Sequence, residues 1–107
     1  MSQLSPTDRT KVKRVPHKAA TDTAALYDLL DQSLVAHVGI VEDGQPFVLP
    51  VVAARVGDQL LLHGSSASRL MKTISSGAPI CVTLTILDGL VLARSAFESS
   101  MNYRSAM

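Results

Sequence analysis

Residues 34–63 read LVAHVGIVEDGQPFVLPVVAARVGDQLLLH, and this stretch decides the fold. Two turn signals divide it, EDGQ at 42–45 and VGD at 56–58, and each is short enough to join two strands as a hairpin. The segments around the turns are rich in Val, Ile and Leu, which favours strands. The sequence therefore predicts three consecutive antiparallel strands.

Two short helices are predicted to flank these strands. Before them, Thr21 or Asp22 can cap an apolar stripe at helical spacing that ends near Gln32. After them, Ser65 or Ser66 can cap a second helix, which a glycine and a proline terminate.

Residues 80–97 complete the predicted sheet. The runs 80–87 and 90–97 are apolar, and Asp88 with Gly89 offers a tight turn between them. Such short connections favour a mainly β fold, a meandering or Greek-key-like barrel, because a parallel sheet would need a helix at every crossover.

The composition excludes several classes of protein. The chain has 107 residues, enough for one domain, and is 47% apolar and only 18% charged, unlike a disordered chain. Its net charge of +1 gives no field that would attract nucleic acid or a membrane, so neither is an expected partner. The single cysteine, Cys81, is expected to be buried. Since no signal peptide or apolar run of roughly 20 residues is visible, we expect a cytoplasmic protein.

Residues 1–20 are predicted to form a basic, extended arm, and residues 21–107 the single folded domain. The arm is either a solvated leader or a segment that lies across a partner subunit or an anionic ligand. No metal site is expected, because the three histidines, His17, His37 and His63, lack metal-ligand spacing.

The segment HGSSASR at 63–69 has the composition of an anion-binding loop. Gly64 allows close approach of the backbone, Ser65 and Ser68 supply hydroxyls, and Arg69 supplies charged donors beside the start of a helix. Alternatively, a serine only caps the helix while Arg69 points to solvent. The composition does not decide between these readings.

Pro50 lies inside an apolar strand, where its missing N–H would break a central ladder. The strand is therefore expected to be interrupted, bulged or at an edge. Unpaired backbone groups there could face the edge of a planar ligand, although a bulge that only bends a barrel wall is an equal alternative. The polar segment around Tyr103 is either a tail or a second contact to a phosphate or ring.

Taken in order, these segments resemble the pyridoxamine 5′-phosphate oxidase-related flavin-nucleotide-binding proteins, the branch that also contains nitroimidazole-resistance proteins. The matching stretches are KVKR (11–14), DGQP (43–46), LPV (49–51), LHGSSASR (62–69), DGLVLARS (88–95) and NYRS (102–105).

The resemblance implies a split β-barrel that binds flavin mononucleotide (FMN) and dimerises with the flavin in a groove between the subunits. By this resemblance, Ser68 and Arg69 match the family's pair of residues that binds the FMN phosphate. Residues 48–51 match the strand that faces the isoalloxazine ring. The full set of cofactor-binding residues so implied is Val48, Leu49, Pro50, Val51, His63, Gly64, Ser65, Ser68, Arg69, Asn102 and Arg104.

The resemblance also implies an activity, an FMN-dependent oxidoreductase that reduces small organic substrates. A non-catalytic flavin carrier or sensor of the same fold is the alternative. His63 is the one candidate for proton exchange, with a packing or phosphate role as its alternative. Vitamin B6 oxidation is not expected, because Leu70 occupies the position of the oxidase's lysine.

The family's barrel normally continues past Ser105 with further strands. We therefore expect the fold to be incomplete at the C-terminus, either in a fragment or in a minimal member whose open edge is completed by dimerisation.

Overall fold

The computed structural model describes residues 22–107 together with Asp8 and His17; the rest of the predicted arm at 1–20 lies outside the described residues. The elements in chain order are α1 (Thr23–Gln32), β1 (Val35–Glu42), β2 (Gln45–Val56), β3 (Gln59–His63), α2 (Arg69–Ser75), β4 (Cys81–Val91) and β5 (Ser100–Ala106). The strands form one antiparallel sheet in the order β3-β2-β1-β4-β5. The predicted mainly β architecture with short flanking helices is confirmed, and the sheet is not closed into a barrel.

The three-stranded meander β1-β2-β3 is confirmed, and its turns explain its register. Asp43 and Gly44 connect β1 to β2 with φ angles of 51° and 76°. Two consecutive positive φ angles are typical of the type I′ turn, whose twist matches that of a hairpin. Glu42 therefore pairs with Gln45, and the register continues without a break to Val35 opposite Val52.

The prediction for the C-terminal half of the sheet is wrong in two places. Asp88 and Gly89 do not form a turn; β4 runs through them to Val91, and the register shifts between Leu87 and Gly89 as a β-bulge. The predicted strand over 90–97 is mostly loop, with a short 3₁₀ turn at Ala96–Glu98. The returning strand is β5, which lies in the polar segment for which the sequence predicts a tail or a ligand contact.

A cross-strand ion pair joins β4 to β5. The Arg104 guanidinium donates from Nε to Asp88 Oδ2 at 3.0 Å and from Nη2 to Oδ1 at 3.1 Å. Arg104 also lies 3.7 Å from the Asp28 carboxylate of α1. Because these partners are 16 and 76 positions away from Arg104, no local turn signal could reveal them.

The core lies on one face of the sheet, under the two helices. On β1 the buried residues alternate as Ala36, Val38 and Ile40, the period of two expected of a strand with one covered face. Leu29 of α1 and Leu70 of α2 pack against them. Neither helix in the described part of the chain is long and apolar enough to cross a membrane.

The opposite face of the sheet, here called the open face, is largely apolar and exposed. It carries large hydrophobic side chains from all five strands: Val35, Val41, Val48, Val52, Val56, Leu61, Leu87 and Tyr103. Cys81 also belongs to it, since it pairs with Gly39 and is exposed. The expectation that this thiol is buried is therefore wrong, because Cys81, the first residue of β4, lies on the open face.

Candidate functional site

The loop between β3 and α2 is shaped by two serines. Ser68 is the N-cap of α2, and its Oγ accepts a hydrogen bond from the Met71 N–H at 3.1 Å. Ser65 Oγ accepts from the Ala67 N–H at 3.2 Å and so stabilises a turn within the loop. The prediction that Ser65 or Ser66 caps α2 is therefore wrong, because α2 begins at Arg69.

Gly64 marks the closest approach between this loop and α2. A Cβ atom built at Gly64 would lie 2.7 Å from Met71 Cε, nearer than two carbons can approach without a shift. The absence of a side chain at Gly64 therefore leaves room for the Met71 side chain of α2. The predicted close approach of the Gly64 backbone to an anion stays a prediction.

Arg69 lies over the β1–β2 hairpin. Its Nε is 2.7 Å from Glu42 Oε2, and its guanidinium carbon lies 4.2 Å from the centre of the Phe47 ring. Both side chains of the ion pair are about half exposed. Sequence reasoning missed Glu42 and Phe47 as partners of Arg69, because only the folded hairpin brings them to α2.

A groove of about 410 Å³ opens beside Arg69 and is lined by Glu42, Arg69, Lys72, Thr73 and Ser76. Lys72 follows Arg69 by three positions, so the two cations share one face of α2. Sequence reasoning missed Lys72, although that spacing was a signal that could have found it. The described part of the chain gives the groove two cations and one carboxylate, a net positive charge that suits an anion.

The outer edge of β2 is only partly covered. β3 pairs with β2 from Val52 to Val56, so residues 45–51 have no strand partner on that side among the described strands. Pro50 lies in this uncovered part and faces His37 on the other side. The expectation of an edge position is confirmed, and β2 is neither interrupted nor bulged there.

The structure brings most of the predicted site residues together. The free edge of β2 carries Val48 and Pro50 on the open face, with Leu49 and Val51 on the core face. His63 ends β3 opposite Val52 and is exposed. Gly64, Ser65, Ser68 and Arg69 follow in sequence along the loop and into α2.

Asn102 and Arg104 are not part of this cluster within one chain. Arg104 of β5 pairs with Ile86 of β4. Ile86 lies two residues beyond Leu84, which pairs with Ala36, so Arg104 lies beside the start of β1. Arg69 contacts Glu42, the last residue of β1. The eight residues of β1 span roughly 25 Å at about 3.3 Å each, and this length separates Arg104 from Arg69.

The hydrogen bonds to Asp88 raise the pKa of Arg104 above its usual range.

Within the part of the chain that the structure describes, no three His, Cys, Asp or Glu side chains converge in the way a metal ion requires.

Comparison with solved structures finds two similar proteins. The flavocytochrome Anf3 from Azotobacter vinelandii is 45% identical, with a TM-score of 0.84 over 95% of this chain and 47% of that chain. The FAD and heme binding protein from Mycobacterium smegmatis is 48% identical, with a TM-score of 0.76 over 80% of this chain and 42% of that chain. The chain thus spans less than half the length of either structure.

Comparison with curated proteins gives no match. The family model described as pyridoxamine 5′-phosphate oxidase matches residues 22–107, which is the whole sheet and both helices. This chain therefore belongs to the pyridoxamine 5′-phosphate oxidase family of flavin-binding split-barrel proteins.

Proposed function

We propose that this protein binds FMN and acts as a flavin-dependent oxidoreductase on small organic substrates. The observation that carries the proposal is the juxtaposition of the free edge of β2 with the Arg69–Lys72 groove. A planar heterocycle needs backbone donors and acceptors along its edge, and residues 45–51 of β2 have one uncovered edge. A phosphate needs cations, which Arg69 and Lys72 supply.

The residues of the chain divide the binding task. Arg69 and Lys72 bind the phosphate, Ser68 fixes the start of α2 that carries both cations, and the β2 edge orients the ring. When bound, the flavin supplies hydride or single-electron transfer, and the protein supplies position and nearby dipoles. His63 at the end of β3 is exposed and close to the β2 edge, so it is the side chain best placed to exchange a proton with a substrate.

We further propose that the functional form is a homodimer, with the open face as the interface. Exposed apolar patches of more than a few hundred Å² are uncommon on monomers, and this face has large hydrophobic side chains on every strand. Asn102 and Arg104 lie too far from Arg69 in their own chain to share its site, and Arg104 faces α1 rather than this interface.

A haem site is a second candidate, because one of the two solved structures is named as an FAD and heme binding protein and the other as a flavocytochrome. His37 and His63 both lie exposed on the open face. Imidazole is a common haem ligand, so either side chain could hold the haem iron.

The visible absorption spectrum of the purified protein, followed by titration with FMN and haem, tests these proposals. Bound FMN should give a yellow protein that FMN stabilises against heat, whereas bound haem should give a Soret band. A colourless protein that neither FMN nor FAD stabilises would overturn the flavin proposal. Assays with a reduced nicotinamide donor and nitroaromatic acceptors then separate an oxidoreductase from a carrier, which would bind FMN without reducing any acceptor.

A further inference from the structure

Glu42 lies where it opposes the binding of an anion by Arg69. Among the described residues that line the groove it is the one carboxylate, and its Oε2 lies 2.7 Å from Arg69 Nε. A carboxylate at this distance competes with a phosphate for the positive charge of the Arg69 guanidinium. Any phosphate that recruits Arg69 must therefore displace Glu42 or accept its repulsion.

The geometry of the pair makes such a displacement cheap. Oε2 is shielded from solvent, yet no described residue offers it a well-aligned hydrogen-bond donor, so the contact to Arg69 is close but poorly directed. Both side chains are about half exposed, and ion pairs of this kind contribute little to stability. The Phe47 ring, 4.2 Å from the guanidinium carbon, holds Arg69 in place independently of the carboxylate.

The charge balance of the groove then depends on the ligand. Arg69 and Lys72 contribute two positive charges and Glu42 removes one. A phosphate monoester such as that of FMN carries about −1.5 to −2 at neutral pH, whereas each phosphate of a dinucleotide carries a single negative charge. The groove as built matches one negative charge better than two.

We propose that Glu42 sets the charge selectivity of the flavin site: by pairing with Arg69 it disfavours a dianionic phosphate monoester relative to a singly charged phosphodiester or an uncharged ligand. The inference rests on the proposed flavin function and adds to it the residue that chooses among flavins. Glu42 acts through Arg69, without contact to the reacting ring.

The test compares Glu42→Gln with Glu98→Gln, which neutralises the chain's only other glutamate, in the exposed turn between β4 and β5. Riboflavin, FMN and FAD are titrated against each variant by quenching of flavin fluorescence. Glu42→Gln should tighten FMN about three- to tenfold, the scale of an exposed charge interaction. The gain for FAD should be smaller, riboflavin should not change, and Glu98→Gln should resemble the wild type.

Each other outcome identifies which idea fails. If no flavin binds the wild type or either variant, the proposed function is overturned and the inference falls with it. If flavins bind but Glu42→Gln leaves the ratio of FMN to riboflavin affinity unchanged, only the inference is overturned. The same holds if riboflavin gains as much as FMN, because the effect would then not depend on phosphate charge.

A second background tests the route through Arg69. In the Arg69→Ala background, the gain in FMN affinity caused by Glu42→Gln should shrink to about twofold or less, because no guanidinium remains to be released. Persistence of the full gain would overturn the pairing as its cause. Thermal unfolding of each variant controls for folding, and Glu42→Ala serves as a second neutral variant should Glu42→Gln not fold.

Discussion

Arg55 holds both carboxylate oxygens of Asp31, donating from Nε to Oδ1 at 2.8 Å and from Nη2 to Oδ2 at 2.7 Å. The residues are 24 positions apart and join the last turn of α1 to the end of β2. The guanidinium also lies 4.2 Å from the centre of the Tyr27 ring, on the same helix. This bidentate contact fixes the helix that covers the core.

We expect Asp31→Asn to lower the thermal unfolding midpoint at neutral pH, because the bidentate ion pair is lost. The hydrogen bonds from Arg55 lower the pKa of Asp31 in the folded state. The stabilisation is therefore complete above the unfolded carboxyl pKa of about 4 and is lost as the pH falls through the lower folded value. The measurement is thermal unfolding between neutral and strongly acidic pH. Asp58→Asn, in the exposed β2–β3 turn, is the control. If the unfolding midpoint of Asp31→Asn lies below that of the wild type by the same amount at all pH values, the Asp31–Arg55 ion pair is not the cause.

Arg69→Ala should weaken FMN binding by about 2 kcal/mol, the scale of a lost charge-assisted hydrogen bond. Riboflavin binding should change far less, because riboflavin has no phosphate. Fluorescence titration of both ligands measures the difference, with Arg94→Ala in the exposed loop after β4 as the matched loss of an arginine. Equal FMN affinities in wild type and Arg69→Ala would place the phosphate elsewhere.

Ser68→Ala should destabilise the protein by about 1 kcal/mol, the usual cost of removing a helix N-cap. Ser66→Ala, two positions earlier in the same loop, should have little effect, since Ser66 does not cap α2. Chemical denaturation of both variants gives the comparison. Equal stabilities of the two variants would mean that the Ser68 hydroxyl contributes nothing to the start of α2.

Leu87→Lys should shift the protein from dimer to monomer, because it places a charge on the open face at the centre of β4. Leu92→Lys introduces the same charge at a residue that is 84% exposed in the loop beyond the sheet, and should leave the dimer intact. Sedimentation velocity over a range of protein concentrations measures both. A wild type that is monomeric throughout would contradict the homodimer proposal directly.

The elements that the sequence predicts well are those fixed by neighbouring residues. The Asp43-Gly44 turn sets the β1–β2 register by its own backbone preference, and Asp22 caps α1 through the Ala24 N–H at 3.0 Å. Both signals lie within a few residues of the structure they determine. The second helix is predicted correctly in place, though not its cap, because three serines compete in one loop.

The elements that the sequence misses depend on distant partners. The Asp88–Arg104 contact joins β4 and β5 across 16 positions, and the surroundings of Arg69 include a hairpin residue 27 positions earlier, Glu42. The apolar open face cannot be read from alternation alone, because strands with hydrophobic residues on both faces look buried. Cys81 is likewise predicted to be buried because it opens a strand beside Val82, whereas the fold exposes it.

The free edge of β2 has a consequence for the protein before any ligand binds. An uncovered strand edge is a template on which another chain can add a strand and begin to aggregate. Pro46 and Pro50 both lie in the uncovered part of β2, and prolines within sheets occupy positions whose missing N–H faces the open side. They leave the edge short of the donors that an incoming strand would need. A flat ring that requires only a few contacts can still bind there, so the prolines protect the uncovered edge from misassembly and keep it available to a small molecule.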